Sequence, residues 1–271
     1  MAEHRVNVAD VRSSVRGLTA TMRIAAAMPA ADIPFVSAGV VLQVLRFGVM
    51  VTIWRSLPQD QLAQTGLNLP MLLTYTAVSQ IAGPLLNPRT TLADHIAGGS
   101  IVMRLLWPMG VASQFAGEML GSTLPVMLVA GVIICFTAVL LDVPLVGDGS
   151  PSLFVLSLLL GIVVGLLVDF GFALLTVRLA NGIWFVTTIR TACTTIVSGA
   201  LIPFSLMPWH IGDVLQVLPF AAMASGPLLV YTRESGAWGV LASQAAWAVV
   251  LGIGLYWWIR RSRDKVVGFG G

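Results

Sequence analysis

Long unbroken apolar runs separated by short polar loops organise this chain. Six are long enough to cross a bilayer, whose hydrocarbon core needs about 20 helical residues. They lie at roughly 34–54, 69–87, 111–141, 153–178, 183–204 and 237–259. Their apolar residues are continuous, not alternating, so helices are expected and barrel strands are not. The chain divides into an arm (1–33), a bundle (34–259) and a tail (260–271), together one transmembrane domain.

Two segments do not fit a plain six-helix count. One is the loop from Pro88 to Pro108, PRTTLADHIAGGSIVMRLLWP. Within it Thr90 and Thr91 are placed to cap a short helix, LADHIA, which Gly98-Gly99 would end. The other runs from Pro203 to Glu234 and is apolar but cut by Pro203, Pro208, Pro219 and Pro227. Proline disfavours a continuous helix. Two short helices are expected there, dipping into the outer leaflet and returning, buried where irregular backbone is tolerated.

Composition strengthens the membrane assignment. Only 10% of residues are charged and 57% are hydrophobic, with mean hydropathy +0.90. A soluble domain carries about 25% charged residues. The net charge of +3 sits at chain ends and short loops, a pattern of topology control and not of nucleic-acid binding. Arg5, Asp10, Arg12, Arg16 and Arg23 precede the first long apolar run, whereas a signal peptide starts its apolar core much earlier. The arm is expected to be a cytoplasmic, partly amphipathic helix lying along the membrane surface.

Lys and Arg set the orientation. With the N-terminus inside, Arg89, Arg104, Arg178 and the tail cluster Arg260, Arg261, Arg263 and Lys265 are inside as well. Only Arg55 and Arg233 fall outside. Both termini are expected in the cytoplasm. Trp54, Trp209 and Trp238 fall near outer ends, and Trp107, Trp184, Trp257 and Trp258 near inner ends. Trp247 falls at mid-span.

Four charges lie inside the spans: Arg46, Glu118, Asp169 and Arg190. Charges are costly in lipid and usually pair. By a rise of about 1.5 Å per residue, Glu118, Asp169 and Arg190 share one depth, about 10–15 Å from the inner face. Asp169 and Arg190 are thus placed to meet across the hairpin of spans four and five, either to fix helix register or to line a pathway. Arg46 lies about 12 Å from the outer end and apart from them. Gly161 and Gly165 form one small-residue step, expected to serve packing.

No catalytic set is present. His4, His95 and His210 are scattered, without a metal-binding spacing, and no G-x-x-x-x-G-K-[ST] loop exists. Cys135 and Cys193 offer neither a disulfide framework nor a zinc site. The chain is expected to be no enzyme and to hold no metal or cofactor itself.

The stretch DHIAGGSIVMRLLWPMG resembles the loop of bacterial ABC exporter permeases of the type-2 class, with Trp107 where that family often has arginine. The segment SGALIPFSLMPWHIGDVLQVLPFA resembles the family's run after span five, and WWIRRSRDKVVGFGG its basic tail. The resemblance extends over nearly the full length. It implies an all-α integral membrane fold: six transmembrane helices, an N-terminal interfacial helix, a cytoplasmic coupling helix and an outer re-entrant hairpin between spans five and six. Thr91, Leu92, Asp94, His95, Ile96, Gly98 and Arg104 would form the contact for an ATPase. Pro203, Pro208, Trp209, Pro219 and Phe220 would belong to an outer re-entrant gate. The implied partners are two copies of an ABC ATPase subunit, which would carry ATP and Mg, and a second permease chain, identical or sister. The implied location is a bacterial inner membrane. The resemblance is silent about cargo; a hydrophobic or amphiphilic substrate is expected because the chain shows no large outer domain and no polar cluster suited to a sugar polymer. A secondary transporter or channel not coupled to ATP is the alternative.

Overall fold

A computed structural model describes residues 8–31, 33–58, 62, 66–176, 179, 182–209, 211–233 and 236–268. Among these the regular elements are all helical. Helix α1 (Val8–Ala27) runs through a 3₁₀ turn (Met28–Ala31) into α2 (Ile33–Ser56). Then come α3 (Leu69–Leu86), the short α4 (Leu92–Ala97) and α5 (Ile101–Leu105), α6 (Val111–Leu140) and α7 (Pro151–Thr176). Helix α8 (Ile183–Val197) precedes a 3₁₀ turn (Phe204–Leu206) and three short helices. These are α9 (Ile211–Gln216), α10 (Pro219–Met223) and α11 (Ser225–Thr232). Helix α12 (Ala237–Gly268) closes the chain. The residues His4, Arg5, Arg178, His210 and Glu234 lie outside the described residues.

Among the described residues, five helices are long and apolar enough to cross a membrane, against six spans expected: stretches of α2, α3, α6, α7 and α12. Their starts and ends follow the apolar runs, with Asn68 capping α3 through a bond from Met71 N–H (2.8 Å). The fifth run does not stay helical to 204. Helix α8 has 15 residues, about 22 Å of rise against a core of about 30 Å. It stops because Gly199 takes φ +71° with the Phe204 ring packed over it, and Pro203 follows. Tyr75 and Ser79 of α3 donate to the Gly199 and Ala200 carbonyls (2.7 and 2.6 Å), so the end of α8 is satisfied inside the bundle.

The interior is largely apolar, but so is the outer surface, unlike that of a soluble protein. Gln114, Ser157 and Gln244 are fully buried, while Val41, Leu45, Val132, Val249 and Ile253 point outward. Outward apolar side chains and inward polar ones are what lipid as solvent selects. Trp54, near the end of α2, is buried and donates to Thr76 Oγ1 (2.8 Å). Trp247 at mid-helix donates to the Val217 carbonyl (2.9 Å), which satisfies its indole at the exposed edge of the bundle.

The ends of the bundle follow from contacts. Arg55, near the end of α2, donates to the Leu141 carbonyl beyond α6, and Thr74 near the start of α3 donates to the Pro144 carbonyl. These mark one end. At the other, Leu92 and Ile96 of α4 pack with Phe115, Ala173, Leu174, Leu255 and Trp258. Helix α7 therefore finishes at the α4 end while α12 starts at the opposite one. Between them, residues 219–232 run antiparallel to α7. Phe220 meets Phe172 (6.5 Å between ring centroids), Met223 meets Gly161, and Tyr231 meets Phe154 (4.9 Å).

The N-terminal helix is not apart from the bundle. It packs alongside the first half of α6, Leu18 against Gly117 and Met22 against Gly121. A Cβ on Gly121 would stand 2.4 Å from the Met22 carbonyl oxygen, so only glycine lets the two backbones approach this closely.

Candidate functional site

The site begins with one face of α7. Ser157, Gly161, Gly165 and Asp169 are spaced four apart and stack along one helical stripe. At the far end Gln244 of α12 donates to the Ser157 and Ala222 carbonyls (3.0 and 2.8 Å) and accepts from Ser157 Oγ (2.9 Å). Below it, Gly161 admits the Met223 backbone, whose oxygen would lie 2.8 Å from an added Cβ. Gly165 admits the ring of Pro88, 2.5 Å from such a Cβ. The two glycines therefore seat different segments against one helix.

Asp169 ends the stripe. Its Oδ2 accepts from Thr90 N–H (2.9 Å) and Thr90 Oγ1 (2.5 Å), and its Oδ1 lies 2.8 Å from Arg190 Nε of α8. Both side chains are buried, Asp169 6% and Arg190 5% exposed. Arg190 Nη2 also donates to the Pro88 carbonyl (2.5 Å) and Asn87 Oδ1 (3.3 Å). Asn87 in turn donates to Thr194 Oγ1 (3.2 Å), and Arg89 to Thr191 Oγ1 (3.0 Å). Asn87 through Thr90 are thus clamped from two sides, by α7 and by α8. Removing one partner of such a buried pair strands the other charge and costs about 3–5 kcal/mol.

The clamped segment is the root of α4. Thr91 precedes that helix but makes no side-chain cap; the Thr90 hydroxyl donates to Asp169 and also accepts a long bond from Leu92 N–H (3.4 Å) at the helix start. Gly98 follows the helix, and Gly99 at φ +70° supplies the left-handed turn beyond it. Thr91, Asp94 and Gly98 are exposed. Leu92 and Ile96 are buried: they are apolar, and their spacing of four turns both toward Phe115 and Leu174.

A second clip fastens α4 and α5 to α6. Glu118 does not join the Asp169–Arg190 pair but binds Arg104 at 2.5 Å. The Arg104 guanidinium stacks over Trp107 and Phe115 (5.1 and 5.2 Å), a favourable cation–π geometry. Its Nη2 lies 3.4 Å from His95 Nε2. Arginine only donates, so Nε2 accepts and Nδ1–H donates to Ser100 Oγ (2.6 Å). Buried Gln114 donates to the Arg104 and Met109 carbonyls (3.0 and 2.7 Å).

The gate residues do not form one cluster. Pro203 is buried; Pro208 and Trp209 are exposed, Trp209 at φ +56°. Pro219 opens α10 and Phe220 lies on Phe172. Arg46 stands apart from all of these, in α2. No metal-binding group of three or more His, Cys, Asp or Glu occurs among the described residues.

Asn87 and Pro88 as latch partners, and Gln114 and Gln244 as internal clasps, were not anticipated from the sequence. Their signal was faint but present: an amide followed by proline at the end of an apolar run, and amides within apolar runs.

No family model, no curated protein and no solved structure matches this chain. The fold alone therefore defines the class, an all-helical multi-pass membrane protein.

Proposed function

We propose that this chain is the permease subunit of an ABC exporter of the type-2 class, with ATP and Mg handled by two copies of a separate ATPase subunit. The observation that supports it most is the latch. Helix α4 presents Thr91 and Asp94 outward, while its root at Asn87–Thr90 is held by Asp169 and Arg190. A force applied to α4 is delivered to α7 and α8 together, which a coupling helix requires. ATPase closure then biases the bundle between two states by its differential contact with α4.

In this proposal the chain crosses a bacterial inner membrane six times, with both termini in the cytoplasm beside α4. Helix α8 and residues 198–236 make the fifth crossing and the re-entrant outer gate. The change of end between α7 and α12 supports that assignment, as does the antiparallel course of 219–232. A second permease chain, identical or sister, completes the pathway for a hydrophobic or amphiphilic substrate.

The test is to search the neighbouring reading frames for a P-loop ATPase and to co-express and co-purify it with this chain. If none associates on co-expression, the proposal fails. In the reconstituted complex Asp94→Lys lowers transport about tenfold, within the usual range of coupling between sites, while ATP hydrolysis persists. Unchanged transport removes α4 from the coupling role.

A further inference from the structure

Helices α2, α3 and α8 enclose an open groove of about 540 Å³. Polar groups line much of it, and most are already engaged. Gln43 donates to the Gln80 carbonyl, Ser79 to the Ala200 carbonyl, and Asn87 belongs to the latch. Arg46, the one charged residue of that lining, is not engaged. It lines the groove, is exposed, and among the described residues has no ion-pair or hydrogen-bond partner.

Its depth makes this informative. Arg46 is ten residues from either end of the apolar stretch Val36–Ser56, about 15 Å by helical rise. That is further than the side chain reaches, so it cannot snorkel to an interface. An intramembrane cation without a counter-charge is costly and marks a pathway or ligand by default. No carboxylate occurs on α2, α3 or α8. A second copy docked by the same three helices about a two-fold axis would bring no carboxylate either.

We propose that the groove binds an amphiphile with an anionic phosphate or carboxylate head, held by Arg46 at mid-depth. Its acyl chain lies along the apolar flanks of α2 and α8. As a transported substrate this rests on the exporter reading; as a ligand site it does not. Asn87 and Thr194 line the same groove and bond to each other, with Asn87 also bonded to Arg190. An occupant therefore touches the latch that roots α4.

The test uses the full chain in phosphatidylcholine nanodiscs with two photoreactive probes of equal chain length, a dodecyl phosphate and a dodecyl alcohol. The phosphate labels α2 and α8 peptides at least about tenfold more than the alcohol, the ratio of a modest affinity difference. Arg46→Gln brings that ratio to about one, Arg46→Lys keeps most of it, and alcohol labelling in both variants reports an intact groove. Equal labelling by the two probes, or a preference that survives Arg46→Gln, overturns the proposal. So does loss of dimerisation in Arg46→Gln with no change in labelling ratio, which assigns Arg46 to a protein contact. Repeating the assay in phosphatidylglycerol discs separates sources: competition identifies a bilayer lipid as occupant, and its absence a single-chain amphiphile. No ATPase is needed, so this result and the co-purification result fail independently.

Discussion

Asp169 has three bonds to keep, and Arg190 has three. Their worth is therefore not that of a simple pair. Asp169→Ala or Arg190→Ala should each lower stability by about 3–5 kcal/mol, because each leaves a buried charge alone. The swap Asp169→Arg with Arg190→Asp should recover only part of this loss. It restores the Coulomb attraction but turns a donor toward Thr90 N–H and an acceptor toward the Pro88 carbonyl. Thermal unfolding in detergent, followed by size-exclusion fluorescence, checks both; full recovery by the swap would show that the backbone bonds contribute nothing. Depth along each span was legible from residue counting, and it put Asp169, Arg190 and Glu118 at one level. Direction around the helix was not. Glu118 faces Arg104 because α6 turns that side to α5, and only packing determines that rotation.

Among the elements, α7 illustrates how a weak sequence signal acquires meaning from its neighbours. Gly161 and Gly165 have the spacing of a helix-packing step, but what they admit is the Met223 backbone and the Pro88 ring. Pro88 is held by Arg190 through its carbonyl, so the ring cannot move aside for a side chain. Gly165→Val should cost about 1–3 kcal/mol or more through overpacking and should loosen the root of α4. Gly254→Ala, where nothing lies within 4 Å, should stay within about 0.5 kcal/mol. Unfolding midpoints of the two variants side by side make the comparison; equal values would mean the Pro88 contact is not tight. Helix starts were readable from caps and apolar runs. The early stop of α8 was not, because Gly199 ends it through a conformation that depends on Phe204. The docking of α1 was equally hidden: its charges suggest a surface helix, and the small residues that receive it, Gly117 and Gly121, belong to α6.

At the scale of the whole molecule, Asp94 and Asp148 lie on exposed connections at opposite ends of the bundle. Single cysteines at these positions should label differently with a membrane-impermeant maleimide: Asp148→Cys in intact spheroplasts, Asp94→Cys only after lysis. Labelling of both in intact cells would refute the membrane-spanning arrangement. The alternation of apolar runs and polar loops made this architecture legible, since lipid leaves few alternatives. Residues 219–232 carried no comparable signal, being too short and too interrupted to read as a span. Yet they include Met223 and Leu228, both wholly buried, and Gln244 of α12 grips Ala222. That grip has a consequence for biogenesis. On the ribosome, residues 219–232 emerge before α12 exists, and eight helical residues of α11 are too few to be retained by hydrophobicity alone. The nascent chain must therefore hold this segment unseated until α12 follows it through the translocon and locks it in place.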